Sequence, residues 1–135
     1  MSIQDAIEWT QTQVAAISGI KRAPFYAPEN INEYPFVVAY MGGGVIEFDV
    51  ALATAGRHAI ILEFHVARKD LPNDIQNAAP YVESIPAAIM TDPTMGGTVE
   101  LFENITYEFA PMRWDAVDTI GFRFTINGIK IRSCP

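Results

Sequence analysis

The stretch Asp92-Pro93-Thr94-Met95-Gly96-Gly97-Thr98-Val99, DPTMGGTV, decides how the rest of the chain is read. Paired glycines flanked by hydroxyl residues suit a phosphate cradle, and a cradle would imply a parallel α/β fold. Such a loop follows a strand and opens a helix, because it binds through the free N–H groups of the helix start. Here the order is reversed. Before the stretch, Asp70 to Met90 carries a helical stripe of Ile75, Ala78, Ala79, Val82, Ile85 and Ile89. After it, Val99, Leu101, Ile105, Tyr107 and Phe109 alternate with polar residues as in a strand. No glycine in the chain is followed by lysine, so the phosphate-binding cation is missing as well. The stretch reads as a helix stop and a tight turn, with glycine supplying positive φ. Gly42-Gly43-Gly44 fails the same tests and reads as a loop between strands, either an ordinary hairpin end or a segment that orders on docking.

Working outward, Asp70 is a good N-cap and Pro72 falls in the first helical turn. Pro80 and Pro86 each remove a backbone donor, which predicts a kink or two short helices. Upstream, strands are expected over Phe36–Met41, Ile46–Ala53 and His58–Ala67, with Thr54-Ala55-Gly56 turning between the last two. An amphipathic helix is expected from Ser2 to Gly19, and prolines at 24, 28 and 35 fix an extended loop after it. Downstream, Ala110 to Asp115 reads as a loop between two strands. In the last strand the apolar parity shifts after Asn127-Gly128, which predicts a β-bulge; too few residues remain for a hairpin to pair back. The sum is a single domain over 1–135 of the α+β class, a mainly antiparallel sheet packed with an N-terminal helix and a Pro-kinked central helix.

The totals narrow the function. A net charge of −7 with scattered basic residues argues against binding nucleic acid by neutralising phosphates. The single cysteine, Cys134, cannot form an internal disulfide. The longest uncharged run, Tyr34 to Ile46, is 13 residues with a proline and three glycines, too short and broken for a bilayer. Asp5 and Glu8 stand where a secretory leader would be basic and apolar, so neither leader nor membrane partner is expected.

Chemistry is sparse. Glu63 and His65 share one strand face, but His58 has the opposite parity, so a set of about three metal ligands does not assemble. A solvated strand face is the reading for Glu63 and His65. No Gly-x-Ser-x-Gly elbow occurs, and no serine has a nearby histidine or acid in sequence, although triads are assembled in space. The expectation is no catalytic residue, no metal and no cofactor. Met112, Arg113 and Trp114 are residue types enriched at protein contacts, and Trp114 allows two readings, a contact residue or a cap on the core.

Taken together, HAIILEFHVARKDL at 58–71, the proline-containing helix, DPTMGGTV, a strand ending YEFAPMRW and the segment DTIGFRFTI resemble the tail terminator (tail completion) proteins of long-tailed bacteriophages and phage-like particles. The resemblance covers nearly the whole chain in order and is strongest from His58 to Ile131; Asn127-Gly128 departs from it by one added residue. It implies a small α+β protomer in a hexameric ring that caps the tail tube, ends tube polymerisation and faces the head connector. The partners implied are further copies of the chain, the tail tube protein and the head-tail connector protein, in a virion assembled in the host cytoplasm. DNA would only pass through the lumen, and an acidic lumen would keep it from sticking; lysines and arginines lining the hole would contradict that. Candidate interface residues are Gly42, Gly43, Gly44, Arg68, Lys69, Met112, Arg113 and Trp114. Two other readings stay open: a different virion component, such as a tube or head-completion subunit, and a small enzyme or ligand-binding domain.

Overall fold

Ser2 starts the first element. Its hydroxyl accepts from the Asp5 N–H at 3.3 Å, and the Asp5 carboxylate accepts from the Ser2 N–H at 2.8 Å, a reciprocal capping box. Helix α1 runs Ile3–Ala15, ending short of the expected Gly19, which takes positive φ (96°) in the turn beyond. The computed structural model describes residues 2–26, 33–48, 54–68, 71–114 and 117–131.

All strand pairs are antiparallel: β1 (Phe36–Phe48), β2 (Thr54–Ala67), β3 (Val99–Leu101), β4 (Asn104–Trp114) and β5 (Val117–Ile131). Between β2 and β3 lie α2 (Leu71–Ala78) and α3 (Tyr81–Ile89). The architecture is α+β, with helices set against a curled antiparallel sheet, as the sequence predicts. β5 is the centre, paired with β2 on one side and with β4 on the other, and β3 takes its last residues.

One face of the sheet carries the main core. Val37 and Ala39 of β1, Ile60, Leu62 and Phe64 of β2, and Phe122, Phe124, Ile126 and Ile129 of β5 meet Ala6, Ile7 and Val14 of α1 and Ile85 and Ile89 of α3. Gln11 ties these layers together. Its side-chain amide is buried and donates to the carbonyls of Pro24 and Val37, each at 2.9 Å, so one polar group joins α1, the proline loop and β1.

The turn reading of DPTMGGTV holds. The Asp92 carboxylate accepts from the Thr94 N–H and hydroxyl and from the Gly96 N–H. Met95, Gly96 and Gly97 all take positive φ, and this points the Met95 side chain into the core, fully buried. Pro80 separates α2 from α3, the two-helix outcome. The break also changes the phase of the stripe: Ala78, Ile85 and Ile89 are buried, whereas Ile75 and Ala79 are exposed. The expected bulge at Asn127-Gly128 is present, since three steps along β5 (Ile126 to Ile129) match two along β2 (Ile60 to His58).

Three strand boundaries differ from expectation. Gly42-Gly43-Gly44 is not a loop: β1 runs straight through it, because pairing with β2 satisfies its backbone and a bulge at Gly42 absorbs the extra residue. Gly43 takes φ 103° there, a conformation that favours glycine. Thr54-Ala55-Gly56 lies inside β2 rather than in a turn, and the expected strand over 49–53 falls outside the described residues, as does the Asp70 cap. The expected strand from Val99 to Phe109 is broken at Phe102-Glu103, and β4 continues through Ala110–Trp114 instead of giving way to a loop. Pro111 is tolerated because β4 pairs on one side only, with β5.

Gly96 has φ 70°, and a Cβ there would lie 2.6 Å from the Trp9 ring. Gly96→Ala is expected to lower the unfolding free energy by about 1–2 kcal/mol, the cost of a left-handed alanine. Urea unfolding followed by circular dichroism checks this; an unchanged midpoint would show that the turn is not held in this conformation.

Candidate functional site

Strand periodicity assembles polar groups on the sheet face away from the helices. Register places Val38, Glu63, Arg123 and Glu108 in one row across β1, β2, β5 and β4, and Phe36, His65, Gly121 and Ala110 in the next. Opposite charges therefore sit directly across from one another. The Arg123 guanidinium reaches Glu108 at 3.1 Å and Glu63 at 3.5 Å. Tyr40, diagonal to Glu63, donates its hydroxyl proton to the same carboxylate. His65 contacts the other carboxylate oxygen through Nε2 at 2.9 Å and the Thr119 hydroxyl through Nδ1.

Glu63, His65 and Thr119 are not on a solvated face, although the Arg123 and Glu108 side chains are open to solvent. Glu63 is 4% exposed, and His65 and Thr119 are fully buried. The cover is a second apolar cluster: Phe36 and Val38, with Tyr34 and Trp114 packed on them. The Phe36 ring stacks on the His65 ring at 4.7 Å, and the Trp114 ring lies tilted to it at 5.9 Å. Sequence spacing alone could not show this lid, because its parts come from 34–38 and from 114.

The electrostatics follow from the geometry. Burial pushes the Glu63 carboxyl up, but hydrogen bonds from His65 and Tyr40 and the nearby positive charge outweigh it, leaving the group below the ordinary carboxylate range. Burial, then the hydrogen bond to Glu63, raises the Tyr40 phenol from 10.0 to about 12. Burial alone would lower Arg123, but the charges of Glu63, Tyr40 and Glu108 raise it, which keeps the guanidinium charged.

The line Thr119–His65–Glu63 has the connectivity of a hydroxyl, an imidazole and an acid, the order used in nucleophilic catalysis. A reacting carbonyl would have to reach the Thr119 oxygen, yet that residue is fully buried. Neither of the two described cavities touches it. One, of about 390 Å³, lies between β2 and α2–α3 and is lined by Tyr34, Phe64, Asp74 and Tyr81; the other, of about 440 Å³, lies beside the β3–β4 junction. Among the described residues no three metal-ligating side chains cluster, and no helix is long and apolar enough to cross a membrane. The polar row links side chains of four strands, β1, β2, β5 and β4.

The predicted interface residues do not converge. Gly42, Gly43 and Gly44 lie on edge strand β1. Met112, Arg113 and Trp114 end β4 on the opposite side of β5, with Met112 and Trp114 half-buried and exposed Arg113 paired to Asp118 at 3.3 Å. Exposed Arg68 directly follows Ala67, whose partner Thr119 also pairs with Met112, so Arg68 belongs to that end of the sheet; Lys69 lies outside the described residues.

Two apolar surfaces are exposed, one within the Phe36–Ala67 strands that the sequence offered as a contact surface and one on β4 that it did not. Beyond the bulge, Gly44–Phe48 pairs, among the described residues, only with Thr54–His58, forming a two-stranded arm at the end of the β2–β5 ladder; Val45 and Ile46 in it, and Met41 just before the bulge, are about 60% exposed. On β4, Tyr107 and Phe109 lean on Phe122 and Phe124 but remain 60% and 40% exposed, because the helices do not reach this edge. No protein-family model matches the chain, and comparison with curated proteins returns no match.

Glu63→Ala is expected to destabilise the fold by about 3–5 kcal/mol, the cost of stranding buried partners of a removed charge. Because the folded-state Glu63 value is depressed, its stabilisation is present above the ordinary 4.5 and is lost as pH falls through the folded value. The raised Tyr40 phenol has the opposite sign: its contribution is present below 10 and is lost as pH rises toward about 12. Denaturant midpoints measured from acid to alkaline pH should thus fall at both ends. Tyr40→Phe should flatten the alkaline fall, and an identical alkaline limb in that variant would contradict the assignment.

Proposed function

We propose that the chain is a structural virion protein of the tail-terminator kind: a protomer of a hexameric ring that caps the tail tube, ends its polymerisation and joins the tail to the head connector. One observation carries the reading beyond the resemblance in sequence. Among the described residues the sheet ends at β1 and at β4; Arg22 bridges Phe36 at the start of β1, but beyond it the β1 edge, like that of β4, bears exposed apolar side chains. A ring built by rotation needs two different, complementary surfaces on every subunit. Edges left unpaired and apolar invite association, and soluble monomers normally blunt them.

The mechanism is geometric. One face of the ring copies the docking surface of a tube ring, and the opposite face lacks what recruits the next one. The partners are the chain itself, the tail tube protein and the connector. DNA passes through the lumen without specific binding, in keeping with the charge of −7. No catalytic step is required of the buried Thr119–His65–Glu63 line, whose part is to hold the strands in register.

Native mass spectrometry and negative-stain microscopy of the concentrated protein, alone and mixed with polymerised tail tubes, test this. Six-membered rings, or tubes blunted at one end by an added ring, are expected. A protein that stays monomeric and leaves tube growth unaffected would contradict the proposal.

A further inference from the structure

The arm and the β3–β4 edge are related in a way that selects a partner. Arm pairing with the body of the sheet ends where His58 meets Ile129 on β5. On the other side of β5, Leu101 pairs with Lys130 and Asn104 with Asn127. The two surfaces therefore flank the same end of the same strand, at one level, on opposite sides of the sheet. A neighbour generated by rotation about an axis along the strands would bring one against the other.

Their chemistry is complementary. Register puts Met41 and Ile46 on one face of the arm and Val45 with Arg57 on the other. An arm with exposed apolar side chains on both faces fits a groove better than a flat surface. The cavity at the β3–β4 junction is such a groove, with Pro86, Met90, Leu101, Phe102 and Ile105 as its apolar lining; Met90 and Leu101 are 51% and 43% exposed. Its remaining lining includes Glu100, which already pairs with Lys130 at 3.1 Å, and the exposed Glu103. On the arm, Arg57 is half-buried, and one terminal nitrogen of its guanidinium is itself buried without a hydrogen-bond partner among the described residues. An acidic rim supplies what that nitrogen lacks.

We propose that the β1–β2 arm of one copy of this chain inserts into the β3–β4 groove of the next, with Arg57 meeting the Glu100–Glu103 rim. The inference rests on the ring reading and specifies the junction that closes it.

Arm variant Val45→Asp/Ile46→Asp and groove variant Leu101→Asp change exposed residues, so circular dichroism melting should stay near that of the wild type. Each variant alone should lose the ring by at least tenfold in native mass spectra. Mixed in equal amounts, they retain one intact junction per unlike pair, the arm of the groove variant in the groove of the arm variant, and should give heterodimers but no rings. Arg57→Glu should likewise lose the ring, and Glu103→Arg on the same chain should restore it. Rings that survive all these changes would overturn the arm-in-groove junction and leave the ring reading standing. A wild type that never assembles, alone or on tubes, would overturn both.

Discussion

The structure depends on the pairing of β2 with β5. That ladder runs from His58–Ile129 to Ala67–Thr119 and places Ile60, Leu62 and Phe64 beside Ile126, Phe124 and Phe122 on the face that the helices cover. The register is fixed because a slip of one residue would send every one of these side chains to the other face. The same register aligns Glu63 with Arg123 on the opposite face, so the apolar core and the polar row are two consequences of one pairing. With β5 occupied on both sides, β1 and β4 are left as the edges of an open sheet.

The polar row is costly to bury and therefore specific. Glu63 is surrounded by the Tyr40 hydroxyl, the His65 ring and the Arg123 guanidinium, and loss of any partner strands the others under the Phe36 and Trp114 lid. Such a network selects one strand order and one register over nearby alternatives. For a subunit that must present two surfaces at fixed positions, rigidity of this kind suits assembly better than a loosely packed sheet would.

Much of this was legible wherever local chemistry decides the backbone. The DPTMGGTV turn follows from glycine and an Asp92 side chain that caps its own neighbours, the α2–α3 break from Pro80, and the β5 bulge from the parity change at Asn127-Gly128. What stayed hidden was set by contacts distant in sequence. Gly42–Gly44 reads as a loop until β2 is placed beside it, and Pro111 reads as a strand end until β4 is known to be an edge. Glu63 and His65 alternate as exposed residues do, and only the Tyr34, Phe36 and Trp114 cluster, drawn from two remote segments, buries them. The predicted interface residues were split for the same reason, three on β1 and three on β4, because strand order is not written in local pattern. Tyr107 and Phe109 match the core period but lie beyond the reach of the helices.

Two apolar edges on one rigid sheet are a heterologous pair of surfaces, and the proposed ring is the closed form of that arrangement. Amide hydrogen exchange of dilute and concentrated protein addresses this most directly, since it reads backbone protection strand by strand. The account predicts that the β1–β2 arm, residues 44–48 and 54–58, and the β3–β4 edge, residues 99–109, gain protection together on assembly, while the central β2–β5 ladder is protected throughout. Assembly that protected neither segment, or one of them only, would contradict it.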